Sequence, residues 1–159
     1  MPRRSLTLLV LIAVLTALMS SMPAPLFAAL GGNAASVDAD RVHVEGALTR
    51  IMRNDAYSIH EIRSASGTMI REYVSSSGTV FAVVWQGPWI PDLRQVLGDH
   101  FDHYQRALSA AQRARKGRAS VVVDDADLVV QVSGHQRSFF GRAYVPGLLP
   151  QRVQPEVIR

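Results

Sequence analysis

The sequence predicts a single α+β domain, with an antiparallel sheet of about five strands, two amphipathic helices and a proline-rich C-terminal tail, behind a short apolar leader. Three observations predict it. Three β-prone runs follow one another at hairpin spacing between residues 57 and 86. Apolar residues recur at helical spacing on either side of those runs. None of the 159 residues is cysteine, so a folded chain of this size must rely on a packed core.

The leader comes first. Arg3 and Arg4 precede an uncharged run whose most apolar stretch is Leu6 to Leu18, and Pro23 and Pro25 follow before the small residues Ala28 and Ala29. That is the order of a secretory signal. A membrane-spanning helix needs about 20 predominantly apolar residues, and Ser20, Ser21 and the two prolines interrupt the run where its second half should lie. The expected organisation is a signal peptide over 1–28, a flexible mature N-terminus over 29–36, one domain over 37–146 and an extended tail over 147–159. The protein is therefore expected to be exported, to the periplasm or beyond the cell, without a membrane span after cleavage.

Within the domain, Val37, Val44, Leu48 and Ile51 recur at helical spacing, with Ser36 or Asp38 as cap, and predict a first helix from Val37 to Met52. Tyr57 to Arg63, Thr68 to Ser75 and Thr79 to Gln86 predict a three-stranded meander joined by Ser/Gly turns. Val80 to Trp85 is apolar at every position, which marks the central strand, covered on both faces. Asp92 then caps a second helix whose Leu93, Leu97, Tyr104 and Leu108 form one stripe, with Gly98 inside it as a close approach or bend. Val121 to Val123, Leu128 to Val132 and Phe139 to Val145 predict further strands. Pro146, Pro150 and Pro155 break the tail, whose Leu148 and Leu149 either dock on the body or await a partner.

Charge narrows the function. Arginine supplies all but one of the 17 basic residues, and the formal charge of +4 falls to +2 once Arg3 and Arg4 are removed. The basic positions are scattered and no aromatic platform accompanies them, which argues against nucleic acid. The absence of cysteine excludes a thiol nucleophile, a thiolate metal site and a lipoprotein anchor. His100 and His103 are three apart on the second helix, but the wheel separates them, and Asp124, Asp125 and Asp127 lack the grammar of a calcium loop. No Gly-x-Ser-x-Gly elbow occurs. No metal, cofactor or catalytic residue is therefore assigned.

The candidate site consists of polar residues set into apolar strands. Arg71 and Glu72 are adjacent in a strand and must face opposite ways, so one approaches the covered side, where Arg142 or Arg137 could meet Glu72. A register-fixing salt bridge is one reading. The other is an arginine fork for a small anionic ligand, formed by Arg71, Arg137 and Arg142 with His135 nearby and Trp85 or Trp89 as an apolar wall.

Arg71-Glu72-Tyr73-Val74, Gly78-x-Val80-Phe81-Ala82-Val83, Trp85-x-Gly87-Pro88 and Pro91-Asp92-Leu93 resemble the bacterial domain of unknown function 2844 family. Leu97-Gly98, Gly134-His135-x-Arg137, Gly141-Arg142-Ala143-Tyr144 and Pro146-x-Leu148-Leu149-Pro150 extend the likeness over most of the chain after the leader. Gln136 departs from the methionine of that family's Gly-His-x-Arg string. The resemblance implies a small exported bacterial protein and brings no activity, ligand or catalytic residue with it. The leading expectation is a non-enzymatic periplasmic interaction module with a protein partner in the cell envelope. A binder of a small anionic envelope ligand is the alternative, and a hydrolase using Glu72 and His135 stands third.

Overall fold

The computed structural model describes residues 30–33, 47–114 and 121–159. Among the described residues there are seven strands: β1 (Ala47–Arg53), β2 (Tyr57–Arg63), β3 (Met69–Ser75), β4 (Val80–Gly87), β5 (Val121–Asp124), β6 (Val129–His135) and β7 (Ser138–Tyr144). They form one sheet in the order β1-β2-β3-β4-β7-β6-β5, and every neighbouring pair is antiparallel. Between β4 and β5 come a short helix α1 (Leu93–Leu97), a 3-10 turn (Gly98–His100) and a longer helix α2 (Phe101–Ala114). This crossing carries the chain to the far edge, and β5, β6 and β7 return to seat β7 beside β4.

The meander and the central strand stand where the sequence places them. Every residue from Val80 to Trp85 is 2% exposed or less, because helices cover one face of β4 and the C-terminal segment covers the other. Phe81 is the extra residue of a bulge, since Tyr73 pairs with Ala82 while Val74 pairs with Val80. The bulge turns Phe81 to the same side as Ala82 and Val84, where it meets Tyr57 and Tyr73 edge-on.

The part of the expected first helix that falls on described residues, 47–52, is strand and not helix. Residues 34–46 lie outside the described residues, and Ala47–Arg53 is the edge strand β1, which takes the sheet from about five strands to seven together with a distinct β5. The same spacing has a strand explanation. Leu48 pairs with Ile62 and Arg50 with Glu61, leaving Thr49 as a bulge, so Leu48 and Ile51 fall opposite Ile62 and His60, two residues apart on β2. A three-residue apolar interval thus becomes in phase with a sheet once a bulge is inserted.

The second helix is present in two pieces. Asp92 Oδ1 accepts the Arg94 N–H at 2.9 Å and caps α1. Gly98 ends it at φ 52°, ψ −126°, a conformation that favours glycine, and its N–H returns to Arg94 O. The break lets Val96 and Leu97 from α1 and Tyr104 from α2 reach one core with Ile62, Ile70, Val74, Val83, Trp85 and Val130. Trp85 is fully buried, and a Cβ at position 141 would collide with its indole ring. Gly141 is therefore the hole in β7 that admits Trp85.

Both ends of the described chain differ from expectation. Residues 30–33 are not a loose N-terminus: the Leu30 N–H donates to Val96 O, Gly31 N–H to Val80 O, and Leu30 is 2% exposed. Residues 29 and 34–36 of that segment, and the leader over 1–28, lie outside the described residues. The tail is not an extended strap. It makes 3-10 turns at Pro146–Leu148 and Pro155–Val157, and it buries Ile158 completely and Val153 almost so against the outer sheet face. Proline at the first position of each turn has a preset φ and no N–H to lose, so it starts these turns where it would break a longer helix.

Candidate functional site

The polar residues inserted into the strands sort by register. Glu61, Arg71, Val84, Arg142 and Gln131 are direct cross-strand partners in succession from β2 to β6 and form one row across the outer face. Arg71 Nε donates to Glu61 Oε1 at 2.8 Å, and Arg142 Nε to Gln131 Oε1 at 2.8 Å. With Val84 between them, the two arginines stand about 10 Å apart at ordinary strand spacing.

The C-terminal segment crosses this row. Arg142 Nη1 donates to Pro155 O at 3.2 Å and Ile158 O at 3.3 Å. Tyr73 Oη donates to Arg159 O at 2.8 Å and accepts from the Arg159 N–H at 3.2 Å. Arg142 is thus a brace for the tail. Beside it, an open groove of about 800 Å³ is lined by Met52, Tyr57, Ile59, Glu61, Arg71 and Tyr73 on the sheet and by Glu156, Val157 and Arg159 on the tail. That volume is within the usual range of ligand clefts.

Glu72 lies on the opposite face. It is 3% exposed, its Oε2 has no hydrogen-bond partner among the described residues, and burial pushes its carboxyl up to about 8. The expected meeting with Arg142 or Arg137 does not occur: strand alternation places Arg142 on the outer face, and Arg137 is in the β6–β7 turn. Glu72 instead opens into a recess of about 30 Å³ lined by Ile70, Val83, Pro91, Asp92, Gln95 and Val96. His60 is its direct cross-strand neighbour on β2.

Trp89 sits in the loop that walls the same recess through Pro91 and Asp92. The loop is held firmly. Thr68, 1% exposed, donates its hydroxyl to Trp89 O at 2.8 Å, and Gly87 is packed so tightly on Thr68 that a Cβ there would collide with its backbone. Trp89 and Ile90 nevertheless remain 59% and 42% exposed.

His135 and Arg137 belong to the exposed β6–β7 hairpin. Register places that turn at the same end of the sheet as Gly87 and Trp89, because Phe139 pairs with both Gly87 and Gly134. Arg137 has φ 65°, the left-handed conformation that two-residue hairpins usually give to glycine or asparagine. The three arginines do not converge, and Glu72 and His135 do not meet. Among the described residues no three potential metal ligands cluster, and His103 is engaged with Asp125 at 2.7 Å.

Sequence reasoning singled out Arg71 and Glu72 and missed what surrounds them. Glu61 and Arg159 complete the groove beside Arg71, while Asp92 and Gln95 complete the recess above Glu72. Asp92 was legible only as a helix cap, and no local pattern marks Arg159 as a neighbour of Tyr73, 86 residues away.

A single antiparallel sheet clad by helices on one face and by its own C-terminal segment on the other, with two recesses, defines a small α+β protein. The chain belongs to the family described as protein of unknown function (DUF2844), whose model matches residues 26–158. No curated protein and no solved structure matches the chain. Among the described residues no helix is long and apolar enough to cross a membrane.

Proposed function

We propose that this chain is an exported, non-enzymatic module of the cell envelope that binds a protein partner through the end of the sheet bearing Trp89 and Ile90. One observation carries the reading: two adjacent large apolar side chains stand exposed on a loop that Thr68 and the Asp92 cap hold in place. A mobile loop could fold such side chains inward. This one presents them at little further ordering cost, which is the economy of a binding hot spot. Export follows from the Arg3-Arg4, apolar run and Ala28 order of the leader.

The test is site-specific photocrosslinking in intact cells from positions 89 and 90, with the exposed helix position 105 as control. A discrete adduct from 89 and 90, absent from 105 and lost in Ile90→Ala or Trp89→Ala respectively, is the expected result. Equal labelling from all three positions would refute the proposed surface. Intact mass of the exported species should correspond to a chain beginning at Ala29.

A second reading, binding of a small anionic envelope ligand, is favoured by the groove on the outer face. It is narrower than the sequence suggests: Arg142 is committed to Gln131 and the tail carbonyls, which leaves Arg159 and Arg71, and Arg71 would have to share its guanidinium with Glu61 and Arg159 O. Saturable thermal stabilisation by anionic cell-wall fragments, lost in Arg71→Ala, would support it, and no stabilisation would remove it.

A further inference from the structure

The recess over Glu72 shares Pro91 and Asp92 with the loop that bears Trp89 and Ile90 and is apart from the groove beside Arg71. It is small, about 30 Å³, roughly twice the space one water requires, so it admits the tip of a ligand and not its body. Its composition is uneven: Ile70, Val83, Pro91 and Val96 are apolar walls, and the polar lining is Glu72, Asp92 and Gln95. Glu72 stands at the buried end with Oε2 unpartnered. Asp92 is at the exposed rim, where Oδ1 is taken by the Arg94 N–H.

A buried carboxyl oxygen without a partner is costly even when neutral, and no described residue donates to Oε2, although Gln95 lines the same recess. The chemistry that fits is a compact donor of hydrogen bonds carrying positive charge, joined to a slim apolar stem. We infer that the recess is a binding site for a primary ammonium group on an alkyl chain, its head on Glu72, its stem between Pro91 and Val96, and its charge balanced further by Asp92 at the rim. A hydrated sodium ion would have to shed water against apolar walls, and a quaternary ammonium has no N–H to donate to Glu72. The ammonium could come from a free amine or from a lysine side chain, two sources with one chemistry.

A neutral Glu72 must ionise to pair with the ammonium, so binding at pH 7 releases a proton. Among the described residues, His60 across the strand pair and Asp92 at the rim are the other titratable groups around it. The experiment is calorimetric and thermal-shift titration of the full chain at pH 7 with ethylammonium chloride and with Nα-acetyl-lysine methylamide. Sodium chloride and tetramethylammonium chloride at equal ionic strength are the controls. Both primary amines are expected to stabilise saturably beyond the controls, with a heat that varies with buffer ionisation enthalpy. Glu72→Gln should weaken binding by about tenfold or more, as loss of a charge-assisted hydrogen bond requires, and should abolish the buffer dependence. Asp92→Asn should weaken it less. Tighter binding of the lysine derivative identifies a lysine side chain as the source, and the reverse order identifies a free amine. No effect beyond sodium chloride, or an undiminished effect in Glu72→Gln, would overturn the site, and neither result bears on crosslinking from Trp89.

Discussion

Arg71 and Glu72 are consecutive residues that serve opposite faces of one sheet. The guanidinium is half-exposed and ion-paired with Glu61 at 2.8 Å, while the carboxyl is buried with Oε2 unpartnered. Alternation alone separates them. The consequence is a marked electrical asymmetry, with a satisfied cation outside and a carboxyl held neutral inside.

Glu72 makes stability depend on pH. Its carboxyl titrates near 4.5 when unfolded and about 8 when folded, so between those values the folded state binds the extra proton and stability falls as pH rises. Below the lower value both states are protonated and this contribution is fully retained. Glu72→Gln should remove the fall, so that the variant exceeds the parent in denaturant midpoint at pH 8 and converges with it near pH 4. The difference between the two curves isolates Glu72 from His60 and Asp92. Parallel curves across that range would refute the burial effect.

Gly141→Ala should destabilise the fold by about 1–3 kcal/mol or more, because the added Cβ meets the indole of fully buried Trp85, which cannot move aside. Thermal melting measures the loss. Gly147, whose Cβ position is open, is the control, and Gly147→Ala should change little.

Ile158→Ala should cost about 2–5 kcal/mol, the usual range for a fully buried isoleucine. Arg142→Ala removes two hydrogen bonds to tail carbonyls. Both variants should raise hydrogen exchange across 153–159 more than in α2. Uniform acceleration throughout the chain would mean that the tail has no separate docking equilibrium.

Leu30 is part of the core, so the N-terminal boundary has a sharp stability limit. A chain starting at Ala29 keeps the Leu30 side chain and the hydrogen bonds from Leu30 and Gly31 to Val96 and Val80, whereas one starting at Ala34 loses them. The shorter chain should melt several degrees lower, as a loss of about 2–4 kcal/mol implies for a domain of this size.

Arg137→Gly should raise stability by up to about 1 kcal/mol, because glycine adopts φ 65° without the penalty of a side chain. If the same substitution also weakens binding of an anionic ligand, Arg137 contributes to recognition in spite of its distance from Arg71.

The meander, the buried central strand and the Asp92 cap were legible because each is written in adjacent residues: turn chemistry, an unbroken apolar run, a capping side chain; Gly98 was legible as a bend, and the structure makes it a full break between two helices. The strand at Ala47–Arg53 was misread because a bulge at Thr49 gives a strand the spacing of a helix. The tail was misread because its prolines forbid long helices but begin 3-10 turns, and what orders those turns is Tyr73 and Arg142, distant in sequence.

The candidate site divides in the same way. By itself the sequence determined that Arg71 and Glu72 part to opposite faces, since the period of a strand is local and unavoidable. Only the tertiary structure decided that Arg71 meets Glu61, that Arg142 braces the tail, and that Glu72 is buried beside Pro91 and Asp92 with Oε2 unpartnered among the described residues. Those outcomes depend on register across separate strands and on where helix and tail come to rest, and such long-range packing is set by the whole core rather than by any residue's neighbours in the chain.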